Sequence, residues 1–494
     1  MRVITKEIEK TMKLEQREVL KLIAASTGRG SFAVVQQRVV ARPLTNQVAN
    51  NTKKNGLNKL IYASTDELLK KFTSLEVSPV DVLKAQIKRY EEVEKIINAC
   101  TYTHFKSALI AAEESERRYR KGNPRALERI TVALKDEYDV KGWFTTAGSN
   151  VLKENVATTN HPTVDKLLEA GAVLHLQTTV PEMYLTGVTW SDLWGVTRNP
   201  WNLKYTVGGS SGGSGAALAA GMTTLATGSD MGGSTRIPCG FNGLYGFKPP
   251  YGRNAPPPSS AFMFPATEGP MARTFEGMVR LQNVMSGPAP YSPTSLRPKL
   301  VLPLNYPSVR GMRIAFSMNQ GWAQVDQDTQ ANTRKALQIL EQAGADIVDI
   351  DLNLGVDGAE IRTTLVNGLL SGSFGESMKQ LNAYSDQLTT YGRYFAEIAS
   401  DGRGTSEAKQ AEDMINMLYA RIQDAVFLKG YDAVIMPTLC TSNVFADFDP
   451  TTDEIKINGN SVEPNIGWFL TALWNLLNWN PVVAIPTGLN RNSL

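Results

Sequence analysis

From Leu57 onward, two kinds of segment alternate along the chain. Short, nearly continuous apolar runs occur at 130–134, 172–178, 222–227, 312–317, 345–350, 433–437 and 482–486. Runs of that length predict strands in a sheet covered on both faces. Segments with helical period lie between them. Ser64-Thr65-Asp66-Glu67 has the capping-box pattern, in which a hydroxyl and a carboxylate each cover a free backbone N–H. Ser78-Pro79 opens a second helix with proline at the first helical position, and helical pattern continues to about Arg120. The segment 330–343 reads as a crossover helix between two strands, a connection that favours parallel pairing. The stretch 353–430 is mostly helical and predicts a cap over the sheet. No period of 20–50 residues recurs, which excludes a repeat array. Residues 57–494 therefore read as one α/β body.

Residues 1–56 are different and read as an N-terminal extension. The segment 4–25 is rich in Lys, Glu and Leu and predicts a helix packed on the main body; 28–56 is polar and irregular. Residues 13–25 vaguely resemble a twin-arginine export signal, but Gln16 stands where the first arginine belongs, so an export remnant is the alternative.

Composition narrows the classes. The 494 residues are 42% hydrophobic and 20% charged, a balance that excludes disorder and coiled coil as overall descriptions. With 51 basic against 48 acidic residues, nothing favours a nucleic-acid partner. Cys100, Cys239 and Cys440 lie far apart and form neither a zinc-type pair nor a disulfide framework. That fits a reducing compartment, so the cytoplasm is expected, with a periplasmic or exported location as the alternative. The charge-free runs 205–229 and 464–490 are each long enough to span a bilayer. Gly, Ser and Thr dominate the first, and Asn475, Asn478, Asn480 and Pro481 interrupt the second. Both predict buried interior, not a membrane span.

The chemistry concentrates in Gly208-Gly209-Ser210-Ser211-Gly212-Gly213-Ser214-Gly215 and in Asp230-Met231-Gly232-Gly233-Ser234-Thr235-Arg236. A flexible linker would have this composition, but the tract lies deep inside the globular part. A phosphate-binding P-loop needs a Gly-Lys-Ser/Thr ending, which is absent, and Leu218 stands where a dinucleotide fingerprint needs a small residue. Gly208 to Gly212 fits the G-x-S-x-G nucleophile elbow, whose histidine must follow the serine. His104, His161 and His175 all precede Ser210, leaving only a triad in another chain order through His161 or His175. The remaining reading is a serine nucleophile served by a lysine. Lys135 directly follows an apolar strand. A lysine must be neutral to act as base, at a cost of roughly 4–5 kcal/mol at pH 7, and burial beside hydroxyls instead of carboxylates lowers that cost. Activity rising from about pH 6 towards alkaline values is then expected.

Here the sequence resembles the amidase signature family. Ala133-Leu134-Lys135-Asp136, the two Gly/Ser segments and Gly246-Phe247-Lys248-Pro249 fit that family in order, and flanking matches extend the likeness from about Leu57 to the C-terminus. The resemblance implies an α/β fold with a large mixed, mostly parallel twisted sheet covered by helices on both faces. It implies a Ser-Ser-Lys amidohydrolase. Ser234 would be the nucleophile. Ser210, expected to carry an unusual cis peptide bond, would bridge Ser234 to the base Lys135. The N–H groups of Met231, Gly232, Gly233 and Ser234 would face the oxyanion, and Ser211, Asp230 and Arg236 would brace the loop. Family members usually continue past 490 with another strand and a terminal helix, which leaves one sheet edge in question here.

Aromatic and sulfur-bearing residues near these motifs suggest an apolar pocket. Met183, Tyr184, Trp190, Phe262 and Phe264 are the candidates, with the loop 255–266 as the expected substrate contact. The expected substrate is a small or medium apolar or aryl amide, carbamate or ester, and neither metal nor cofactor is expected. The alternative is a glutaminase-type subunit of a tRNA-dependent amidotransferase. A homodimer stays open.

Overall fold

Ser64 Oγ accepts from Glu67 N at 3.1 Å and so starts the first of the predicted helices, α1 (Thr65–Thr73). The computed structural model describes residues 34–35, 59–401 and 404–491. The helix expected over 4–25 lies outside them. Ser78 and Asp81 form a reciprocal capping box on α2 (Pro79–Ile97). The helical stretch expected to run to Arg120 is broken by a strand at Cys100–Thr103 before α3 (Phe105–Arg120).

Besides two short two-stranded ribbons, the strands of the larger sheets are β1 (Val34–Val35), β2 (Cys100–Thr103), β3 (Thr131–Lys135), β4 (Val173–Thr178), β5 (Leu225–Asp230), β6 (Tyr245–Lys248), β7 (Thr267–Ala272), β8 (Arg313–Phe316), β9 (Asp346–Asp349), β10 (Ala433–Ile435) and β11 (Val482–Ile485). Eight of them form one sheet in the order β1-β11-β6-β7-β5-β3-β4-β2, and three form another in the order β9-β8-β10. Pairing is parallel at β1/β11, β5/β3, β3/β4, β8/β9 and β8/β10. It is antiparallel at β11/β6, β6/β7, β7/β5 and β4/β2.

All seven apolar runs singled out in the sequence contain strands. The pattern missed β2, β6 and β7, and also β1, which lies in the stretch 28–56 expected to be irregular. In β7, Gly269-Pro270 hides the strand, because proline has no N–H to give to a ladder. Pro270 faces Thr227 of β5, while β6 meets β7 only at its far end, through Tyr245 and Gly246.

Residue parity in β3 assigns its two faces. Val132 and Leu134 join a core with Leu68 and Phe72 of α1, and with Val164 of α4 (Pro162–Glu169). Ala133 joins the opposite core, built on Ala216, Ala217 and Leu218 of α5 (Gly212–Ala219). Lys135 follows Ala133 by two positions and so leaves the sheet on the α5 side. The segment expected to be a helical cap holds α6 (Gly358–Leu370), α7 (Ser373–Gln380), α8 (Thr390–Ser400) and α9 (Thr405–Ile422). Val366, Leu370 and Phe395 from this cap pack with Met183 and Leu185, which fixes it over the ends of β3 and β4. The charge-free runs are largely interior, with Trp468 and Trp474 fully buried, although Trp479 in the second is half exposed. Among the described residues no helix is long and apolar enough to cross a membrane.

Candidate active site

The parallel strands β5, β3 and β4 bring their carboxyl ends to one edge, where α/β sheets usually bind ligands. Lys135 ends β3, Ser229 and Asp230 end β5, and the loop after β4 carries Met183 and Tyr184. Opposite them the chain enters α5 through Gly209 and Ser210, whose peptide bond is cis. A Cβ at Gly209 would lie 2.5 Å from the Val188 carbonyl, so only glycine lets the two backbones approach this closely.

Lys135 Nζ, completely buried, lies 2.9 Å from Ser210 Oγ and 2.6 Å from Ser229 Oγ. The Tyr184 ring centroid is 4.7 Å from Nζ. A carboxylate is also present: Glu137 Oε2 lies 2.8 Å from Nζ and accepts from Ser229 Oγ at 2.5 Å. The expectation of a lysine surrounded by hydroxyls alone is therefore corrected. The tight turn after β3, in which the N–H groups of Glu137 and Tyr138 both bond to the Lys135 carbonyl, folds the carboxylate back onto the amine.

Ser234 lies on the loop that leaves β5. Asp230 and Arg236 clamp the base of this loop through two contacts of 2.9 and 2.8 Å, both side chains fully buried. Arg236 also donates to Thr471 O at 3.1 Å and to Asn475 Oδ1 at 2.7 Å. Burial pushes the Asp230 carboxyl up, but the Arg236 charge and its hydrogen bonds outweigh that and hold it below the ordinary aspartate range. Thr235 N donates to the same carboxylate at 3.3 Å. Thr471 Oγ1 donates to Gly232 O at 2.5 Å. Gly233 has φ +136°, and a Cβ there would meet Thr471 Oγ1 at 2.1 Å, so both conformation and space require glycine. Among the described residues, the N–H groups of Met231, Gly232, Gly233 and Ser234 have no protein acceptor. Ser211 N donates to Ser234 O at 3.2 Å, and Ser211 Oγ accepts from Ser229 N at 3.3 Å.

A cavity opens over Ser234, Gly232, Met231 and Gly209. Met183 and Tyr184 line it as expected. Three other candidates lie elsewhere. The Trp190 indole N–H is held by Phe448 O at 2.8 Å and its ring packs edge-on to Tyr391, behind the wall. Phe262 is 81% exposed. Phe264 packs on Tyr251 and Trp479, and both phenylalanines line a neighbouring groove, not this cavity. The loop 255–266 is thus corrected from substrate contact to neighbouring surface. The wall that the sequence pattern did not reveal comes from the cap and the C-terminal segment: Leu365, Val366, Phe374, Phe395, Ile466 and Phe469. Ser149, unassigned from sequence, donates to Glu182 Oε1 at 2.6 Å; Glu182 Oε2 accepts from Thr389 at the start of α8, tying the cap to the wall.

The histidines are engaged elsewhere. His161 caps α4, His175 meets Met222 O at 3.0 Å, and His104 stacks on Trp143. Burial lowers His175 to about 4, so it stays neutral.

The family description "Amidase" matches residues 81–480. A glutamyl-tRNA(Gln) amidotransferase subunit of Acinetobacter baumannii (strain AB0057) is 35% identical over 296 residues, covering 59% of this chain and 60% of that protein. An acylamidase of Rhodococcus erythropolis is 30% identical over 438 residues, covering 87% and 89%. The match thus spans only about three fifths of the amidotransferase protein but most of the acylamidase. Among solved structures, a bacterial aryl acylamidase of the amidase signature family superposes with TM-score 0.79 at 27% identity, covering 87% of this chain and 91% of that one. Set beside the Lys135–Ser210 contact, these matches establish that the chain belongs to the amidase signature family.

Proposed function

We propose that the protein hydrolyses the C–N bond of a small or medium apolar or aryl amide, carbamates and esters being within the same chemistry, through an acyl-serine intermediate. The observation that carries this reading is the 2.9 Å contact between Lys135 Nζ and Ser210 Oγ beside the cavity that holds Ser234. Ser234 Oγ attacks the carbonyl carbon. Its proton passes to Ser210, and Ser210 gives its own to Lys135. The N–H groups of residues 231–234 stabilise the oxyanion, each such donor being worth about 3–4 kcal/mol. The proton returns through Ser210 to the departing amine. Water then attacks the acyl-enzyme by the reverse relay. Ser211, Asp230 and Arg236 hold the loop in shape.

The lining supports an apolar acyl group. Its charged member, Arg362, is already paired with Glu463 at 3.3 Å and donates to Tyr394 OH at 2.7 Å. Glutamine would need charged partners for its ammonium and carboxylate. The coverage of the acylamidase relative favours the same conclusion. A chromogenic panel should therefore show turnover of anilides and aryl amides. Activity confined to glutamine or asparagine, together with co-purification of a partner, would favour the amidotransferase reading suggested by the 35% identical relative.

Lys135→Ala should lower kcat/KM by about 10²–10⁴-fold, the range for loss of a positioned base. Its thermal midpoint should stay near the wild-type value. Activity within threefold of wild type would remove Lys135 from the relay.

A further inference from the structure

From the contacts around Lys135 we infer that Glu137 holds the proton that would otherwise have to leave Lys135 for solvent, so that the base is regenerated inside the site; this rests on the Ser-Ser-Lys reading. An ammonium has three N–H donors. Nζ has three acceptors within hydrogen-bond distance: Ser210 Oγ, Ser229 Oγ and Glu137 Oε2, at 2.9, 2.6 and 2.8 Å. Each donor of a charged lysine is thus occupied, and the Tyr184 ring adds a further preference for the cation. A lysine in that state has no lone pair with which to accept from Ser210.

Moving one proton across the 2.8 Å contact solves this. The N–H bond to Glu137 breaks, an O–H bond forms on Oε2, and Nζ gains a lone pair that a turn of the amine about its Cε–Nζ bond brings to face Ser210, its two remaining N–H groups then pointing to Ser229 and Glu137. The pair keeps the same total number of protons and no net charge crosses the site. When Nζ then takes the Ser210 proton, the ammonium forms beside a neutral carboxyl group; the reverse sequence supplies the leaving amine. Ser229, which accepts from Nζ and donates to Glu137, fixes both partners. Glu137 acts through Lys135 and does not touch substrate, so it is a positioning residue. The other titratable groups around the pair are Tyr184, Tyr138, Asp136, Asp139 and Glu268, the last 3.7 Å from His161. Asp136 is engaged by Thr146 N at 3.0 Å, and Glu268 by Tyr138 OH at 2.6 Å.

This predicts a pH profile unlike that of a lysine among hydroxyls. The active form needs no proton lost to solvent, so wild-type kcat/KM for an anilide should vary less than about threefold between about pH 6.5 and 8.5. In Glu137→Gln the lysine must release its proton to solvent. Its kcat/KM should be about 100-fold lower at pH 7 and rise about tenfold per pH unit. Glu137→Ala should behave alike and recover activity with added formate, since the Glu137 side chain is 24% exposed. A merely structural role would lower the rate without changing the profile. A variant profile parallel to wild type, or a wild-type profile that itself rises tenfold per unit, overturns the inference. The wild-type profile decides even if the variants do not fold. Fluorophosphonate labelling of Ser234 in the same wild-type samples separates the two levels: lost labelling sinks the serine reading, whereas intact labelling with the wrong profile sinks only the role of Glu137.

Discussion

Ser234→Ala is expected to reduce kcat for an anilide by about 10⁴–10⁶-fold, the range seen when a nucleophile acting as part of a relay is removed. The loss should fall on the chemical step. Substrate affinity should stay within a few fold, because Leu365, Phe374, Phe395 and Ile466 supply the apolar wall and Ser234 only its floor. Ser234→Ala combined with Lys135→Ala should be little worse than Ser234→Ala alone, since groups that act as one unit are not additive. Single-turnover rates and equilibrium binding of the same anilide measure these quantities. A Ser234→Ala enzyme retaining a tenth of wild-type kcat would require another nucleophile.

The second large effect concerns stability. Asp230→Ala leaves the Arg236 guanidinium buried, with Thr471 O and Asn475 Oδ1 as its remaining acceptors. Removing one partner of a buried pair typically costs about 3–5 kcal/mol. The denaturant midpoint should fall accordingly, and activity should fall with it because Thr235 N and Asn475 Nδ2 lose the carboxylate that anchors the loop. Replacing both partners with apolar residues should recover part of the stability, as no uncompensated charge then remains. The sign with pH follows from the direction of the Asp230 shift. Its carboxyl is held below the ordinary range, so its contribution is present in full above that range and is lost as pH falls through the folded-state value. An Asp230→Ala change of under about 1 kcal/mol would mean that the pair does not hold the loop.

Much of the candidate site was legible because its residues fall in short motifs that are each continuous in sequence. The Gly/Ser segments place Ser210 and Ser234, and the parity of β3 sends Lys135 to the α5 side. What the sequence hid depends on contacts between distant segments or on side-chain direction. Ser229 and Glu137 stand next to the motifs, yet only the turn after β3 shows that Glu137 folds back onto Lys135 instead of pointing to solvent. Phe262 and Phe264 follow three prolines and look like part of a pocket wall, but the loop carries them to a neighbouring groove. The true wall comes from α6, α7, α8 and the segment around Phe469, more than 100 positions along the chain from Ser234. Strand β7 was hidden for a local reason, its Gly269-Pro270.

The central claim is that Ser234 becomes acylated and that Lys135, through Ser210, makes this possible. Peptide mapping by mass spectrometry of enzyme acid-quenched during turnover of a slow aryl amide tests it most directly. The account predicts the acyl mass on the peptide containing Ser234, absent in Ser234→Ala and strongly reduced in Lys135→Ala. An adduct on any other residue, or one of equal yield without Lys135, would contradict it.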